Sequence, residues 1–354
     1  MPAQPTPSPG LSALDESRLR DRYEASPLAR EADSFVLYRI IGNDLPPRHR
    51  DGQTLENLRF ILENEPALPG CEKRWVVNRI VDPGVEAAVL DLLRAHNQPV
   101  LHLPIVAADY AKIPLDVAAL SSPTYLDSLR FALFSRCSIK YRNRVLGAVH
   151  RLKNLYVMHN NGARNAALAD GRGRAKWVLP FDGNCFFTAT AWSQLTAAVT
   201  TRPWLSYFIV PMARLFDNAR LADPTFSPPA NEEPQILFRR DAAESFNPAF
   251  PYGRRPKVEL FWRLGIPGPW DKWTEESWDQ PRRPLSPEAG QFGTAGWVAR
   301  LFSGVPHLEV KARGILGKRG MARQEAILTL LANLDQTLGL PSPHNPYRRS
   351  PASK

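Results

Sequence analysis

Strand-like runs alternate with helix-like ones along this sequence, and that alternation is its strongest constraint on fold. SFVLYRIIGNDLPP is an apolar run that stops at Gly-Asn-Asp, and QTLENLRFILENEPAL then places Leu55, Leu58, Ile61 and Leu62 on one helical face. KRWVVNRIVDPG is a second strand-like run halted by Asp82-Pro83-Gly84, GVEAAVLDLLRAHN is an amphipathic helix, and PVLHLPI is a third strand. Strands and helices of this length predict an α/β fold, a mostly parallel sheet flanked by helices, with ligands at the carboxyl ends of the strands. The tips IIGNDLPPR and NRIVDPG, carrying Asn43, Asp44 and Asp82, therefore become candidate ligand contacts, although the same residues equally suit turns and helix caps.

Further along, a cation-rich helical stretch runs from about residue 124 to 156 and includes Arg130, Arg136, Lys140, Arg144, Arg151 and Lys153. Most of these cations are expected on a solvated face, and the interleaved Tyr141, Val145 and Leu146 leave room for contact with an acidic membrane surface. NNGARNAALADGRGRAKWVLPFDGN then predicts a helix over about 161–170, a glycine-containing loop and a buried strand WVLPFD, with Thr188 capping the next helix. DGN thus falls in a strand-to-helix loop. WLSYFIVPMARLF and EEPQILFRRDA predict two more strands of the same sheet. TAGWVARLFSG is helix-like, KARGILGKRG a flexible basic loop, and MARQEAILTLLANLDQTL a final amphipathic helix.

The expected organisation is a Pro-rich disordered tail over 1–33, a ligand-binding domain over 34–265, a C-terminal helical and loop extension over 266–340 packed on it, and a second disordered tail over 341–354. A formal net charge of +10 favours anionic partners such as phosphates, nucleotide sugars or acidic lipid. No zinc-finger spacing or RNA-binding aromatic signature is present, so no nucleic-acid partner is expected. Three cysteines, widely spaced and odd in number, argue against a disulfide framework. With no long apolar window and no apolar leader, a soluble cytoplasmic protein is expected, with peripheral membrane contact as an option.

The order Ala163-Arg164-Asn165, a glycine-bearing turn, then an apolar strand ending in Asp182-Gly183-Asn184 resembles the GT-A class of nucleotide-sugar glycosyltransferases, within its large inverting family-2-like group. The resemblance covers roughly residues 35 to 265, by motif order. It implies a GT-A-like fold in which Asn43, Asp44, Asp82, Arg164, Asn165 and Asp182 contact the nucleotide sugar. It also implies a divalent cation, Mn2+ or Mg2+, at Asp182 and Asn184, with His307 as a third ligand. Such a cation would neutralise the diphosphate leaving group. Asn184 departs from the family's Asp-x-Asp pattern, since an amide offers an oxygen but no charge.

A second departure lies in FPYGRRPKVELFWRLG, where Lys257 stands in place of the family's catalytic aspartate. An inverting transferase needs a carboxylate to take the acceptor's proton, and Glu259 and Asp271 are the available substitutes. Trp270 and Trp273 beside Asp271 suit an acceptor sugar face. Lys311, Arg313, Lys318 and Arg319 in the late basic loop suit a lid over the diphosphate. The implied reaction is transfer of a sugar from a nucleotide-diphosphate donor to a glycan, lipid-linked or small-molecule acceptor. Two other classes remain open: a catalytically weak or inactive nucleotide-sugar- or glycan-binding protein, and a polyanion- or membrane-surface-binding module.

Overall fold

Strand β1 (Phe35–Ile41) is buried along nearly its whole length, as its unbroken apolar run requires of a strand covered on both faces. A computed structural model of the chain describes residues 13–116, 136–223, 225–254, 256–268, 279–281, 283–302, 304–309 and 315–340. Within them β1 pairs in parallel with β2 (Cys71–Asn78) on one side and with β4 (Trp177–Asp182) on the other, and β2 pairs in parallel with β3 (Val100–Leu103). The intervening helices are α2 (Gln53–Asn64), after α1 (Ala13–Glu24), and α3 (Pro83–Ala95). Then come α4 (Ala107–Ala111), α5 (Ile139–Val149), α6 (Arg151–Met158) and α7 (Asn160–Gly171) before β4. The sheet continues through β7 (Glu232–Arg239), β6 (Tyr207–Arg214), β9 (Val298–Arg300) and β5 (Cys185–Phe186), with β8 (Phe292–Thr294) also on β6. The fold is therefore α/β, with a mostly parallel, mixed sheet flanked by helices.

Alternation along each central strand divides the core in two. Phe35, Leu37, Trp75, Val77, Trp177 and Leu179 face the layer that includes Trp192 and Leu195 of α8 (Ala189–Thr201). Val36, Tyr38, Val76 and Val178 face Ala163, Ala167 and Leu168 of α7, and Leu260 and Phe261 of α9 (Val258–Arg263). Two-residue periodicity thus buries both faces at once, which is the three-layer solution for a strand with no polar side.

Reversal of the strand order between β1 and β4 creates the crevice. β1 leads through α2 to β2 on one side, whereas β4 lies on the other side, so the carboxyl ends of β1 and β4 flank the switch point at which ligands of open α/β sheets bind. Pro180 sits within β4, yet the antiparallel β4–β7 ladder is confined to Trp177 and Val178. Beyond that point β7 has left β4, so the missing proline N–H breaks no bond on that side. The gap is bridged by a side chain, Gln235, whose amide reaches Asp182.

Several expectations are corrected. Residues 13–33 are not a disordered tail: α1 docks on the body through Glu16, which accepts from Arg202 at 2.7 Å and from the Trp204 indole at 3.1 Å, and Tyr23 and Leu28 are buried. Apart from Leu19 and Tyr23 its contacts are polar, so no apolar stripe announced it. TAGWVARLFSG is not a helix, because Gly296 turns the chain at φ +48° and Val298–Arg300 then pairs with Met212–Arg214. β8 and β9 make part of the 266–340 region a component of the main sheet. The flexible loop expected at KARGILGKRG gives way from Ile315 to helix α11 (Ile315–Thr337). In the cationic stretch Lys140 and Arg144 are exposed as expected, but Arg151 pairs with Asp116 at 2.7 Å, and buried Lys153 donates to Asp335 at 2.6 Å. The 341–354 tail and Arg130 lie outside the described residues. No described helix is long and apolar enough to cross a membrane, and none of the three cysteines is in a disulfide.

Candidate functional site

A cavity of about 660 Å3 opens at the carboxyl ends of β1 and β4, within the size range of small-molecule sites. Asp182 ends β4 on its floor, with a third of its side-chain surface open to the cavity. Arg164 Nη2 donates to Oδ1 at 2.7 Å, Gln235 Nε2 donates to Oδ2 at 2.8 Å, and Lys257 Nζ reaches Oδ2 at 3.3 Å. Depth in the protein works to raise the Asp182 carboxyl, but Lys257, Arg164 and the Gln235 amide outweigh it and hold the group far below the usual carboxylate range. Asp182 is ionised throughout the physiological range.

The glycine of DGN is required by packing. A Cβ at Gly183 would lie 2.5 Å from the Ile40 carbonyl oxygen, inside contact distance, so only glycine lets β4 turn away from the end of β1. Asn184 lines the cavity, and its carbonyl accepts from Leu301 at 3.0 Å, tying the loop to the end of β9.

Six arginines line the cavity against four carboxylates among the described residues. Arg164 comes from α7, Arg48 from the loop after β1, Arg214 from β6 and Arg300 from β9, where the last two are register partners. Arg319 and Arg323 project from α11 one turn apart. Glu232 accepts from Arg214 at 2.8 Å, while Glu233 pairs with Lys257 at 3.4 Å and leaves 37% of its side chain exposed. His49 is pushed down to about 3 by burial and by the charges of Arg48, Arg300 and Arg323.

That histidine makes the fold acid-sensitive. In the unfolded chain it titrates near 6.5, so below that pH the unfolded state holds the extra proton and stability falls as pH drops from 6.5 towards 3. His49→Gln is expected to remove about 1–2 kcal/mol of the loss between pH 6.5 and 4.5. Urea unfolding at each pH checks it; an identical profile in the variant would acquit His49.

Of the residues expected at the site, Asp44, Arg164, Asp182, Asn184 and Arg319 are brought together around the cavity, and Asn43 lines it. Asn43 nevertheless spends its amide on backbone: Nδ2 donates to the Arg79 carbonyl and Oδ1 accepts from Val81 N, clamping the β1 tip to the chain after β2. Asp44 Oδ1 accepts from the Thr54 backbone N at 2.9 Å and its hydroxyl at 2.5 Å, holding the start of α2. Asp82 is exposed and caps α3 by accepting from Gly84 N and Val85 N, the plain reading of DPG. Asn165 exchanges two hydrogen bonds with the backbone of Phe246 and is not part of the cavity wall.

Glu259 is corrected as well. Its side chain is wholly buried on α9, accepting from Arg263 at 2.8 Å and Arg283 at 3.1 Å, and it is not part of the cavity wall. Lys318 is exposed on α11, and His307 is exposed on α10 (Pro306–Glu309); neither lines the cavity. Asp271, Trp270, Trp273, Lys311 and Arg313 lie outside the described residues.

The expected metal ligands do not fit a hard divalent cation as arranged. Mg2+ and Mn2+ need several free oxygen donors, whereas both Asp182 oxygens already accept from nitrogen donors, Asn184 adds no charge and His307 is elsewhere. Among the described residues no group of three His, Cys, Asp or Glu is arranged to hold a metal. Arg48, His49, Arg214, Glu232, Glu233, Arg300 and Arg323 were missed because they come from five distant segments. The only local hints are Arg48-His49-Arg50 just after the first strand tip and the i, i+4 spacing of Arg319 and Arg323. Neither protein-family models nor curated proteins give a match to this sequence.

Proposed function

We propose that the protein is a GT-A-like glycosyltransferase that binds a nucleotide-diphosphate sugar in this crevice and transfers the sugar to a glycan, lipid-linked or small-molecule acceptor. One observation carries the reading: an ionised carboxylate at the switch point of an α/β sheet, bracketed by Arg164 and Lys257, on the floor of a cavity with an excess of arginine. A diphosphate leaving group gathers negative charge as the glycosidic bond breaks, and preorganised cations stabilise that charge best in a concave site. Glu233 takes the role of general base in place of Glu259, because its side chain is more open than those of Asp182 and Glu232 and Asp44 is held by Thr54.

Uridine and guanosine diphosphates are expected to bind with dissociation constants of about 1 µM to 1 mM, and their sugars to be transferred or slowly hydrolysed. Calorimetry with both nucleotides, followed by a turnover assay across nucleotide sugars, tests this. No nucleotide binding would sink the whole reading, and binding without turnover would leave a non-catalytic nucleotide-sugar-binding protein.

A further inference from the structure

The pair of departures from the family pattern, Asn184 and Lys257, becomes one feature in three dimensions. Where a second carboxylate would help hold a cation, the chain has a neutral amide, and where an aspartate is expected it has Lys257, whose ammonium lies 3.3 Å from Asp182 Oδ2. Arg164 occupies the other oxygen at 2.7 Å, and Gln235 shares Oδ2 at 2.8 Å. A divalent ion entering here would have to displace two fixed cations from a carboxylate whose lone pairs they already use.

Higher on the wall, three arginines from three separate segments, Arg48, Arg300 and Arg323, lie close enough to His49 to disfavour its protonation. Arg300 and Arg319 also lower the Glu232 carboxyl, and all four of these arginines line the one cavity. Arg48 and Arg319 are themselves more than nine-tenths buried. Guanidinium groups concentrated around a cavity match phosphate oxygens in charge and in planar two-point geometry.

We propose that the site binds the diphosphate with fixed cations in place of a divalent metal: Lys257 and Arg164 hold the floor, and Arg48, Arg300, Arg319 and Arg323 bind the phosphate oxygens. The inference rests on the nucleotide-diphosphate reading only for the identity of the anion. It makes Asp182 a positioning residue, which aims Arg164 and Lys257, rather than a metal ligand.

The test uses the full chain in metal-stripped buffer, with inorganic pyrophosphate, uridine diphosphate and guanosine diphosphate titrated by calorimetry with and without Mg2+. Pyrophosphate is expected to bind without metal, Mg2+ to leave that affinity within about threefold, and affinity to fall steeply with added salt. Arg323→Gln, at a partly exposed position, is expected to weaken pyrophosphate binding by about tenfold or more, the loss of one charged hydrogen-bond donor. Asp182→Asn separates the two roles. It keeps an oxygen for Arg164 but loses the charge that holds Lys257, so pyrophosphate affinity is expected to fall by about tenfold to the same extent with and without Mg2+, whereas the loss of a metal ligand would show only when Mg2+ is present.

A strict Mg2+ requirement for pyrophosphate binding, or an Asp182→Asn defect that appears only when Mg2+ is present, would overturn the proposal. Metal-free pyrophosphate binding with no affinity for either nucleotide would keep it and remove the nucleotide-sugar reading. Nucleotide binding that appears only with Mg2+ would do the reverse.

Discussion

Glu233→Gln lowers sugar transfer by about 10^2- to 10^4-fold, the usual contribution of a positioned general base, and leaves nucleotide-diphosphate affinity close to that of the parent. Among the described residues four carboxylates line the cavity, and three of them are committed. Asp44 holds the start of α2 through Thr54, Asp182 aims Arg164 and Lys257, and Glu232 is held by Arg214. Glu233 forms an ion pair with Lys257 at 3.4 Å, and more than a third of its side chain stays open. Glutamine keeps its shape and its contact with Lys257 but cannot take a proton from an acceptor hydroxyl. The effect should therefore fall on kcat, with the donor's binding isotherm little changed; an unaltered kcat would remove Glu233 from the reaction.

Glu259→Ala costs about 3–5 kcal/mol of stability, the typical result of stripping one partner from a buried ion pair. The Glu259 side chain has no solvent exposure, and Arg263 beside it is 3% exposed and already held towards lower basicity by burial and by Arg283. Without the carboxylate, Arg263 keeps Glu244 but loses its partner within α9. Urea unfolding should show the loss directly. Activity measured well below the unfolding midpoint should persist, whereas a catalytic residue would lose activity with stability intact. The same variant thus distinguishes the structural role found here from the chemical role that VELFWRLG suggests in sequence.

What sequence could convey depended on whether the cause was local. β1, β2 and β4 are legible because strands buried on both faces need unbroken apolar runs, and Asp82-Pro83 and Thr188 mark helix starts through contacts within three residues. β8 and β9 are three residues each and exist only because β6 offers its edge, so their segment carried the wrong period. At the site, Asp182 and Arg164 were legible as neighbours in a motif. The functions of Asn43 and Asn165 were not, since nothing in an asparagine says whether its amide faces a ligand or the backbone of a distant turn. Lys257 was visible only as a missing aspartate. Its meaning as a counter-charge to Asp182 depends on a contact spanning 75 positions.

Synthesis order gives the arginine wall another consequence. The sheet from β1 to β9 ends at residue 300, but Arg319 and Arg323 arrive on α11, which also supplies Asp335 to the buried Lys153. On a ribosome the crevice floor can therefore fold before the last two of its arginines have emerged. If the crevice takes a phosphate-bearing ligand as proposed, full affinity is expected only after α11 has been made.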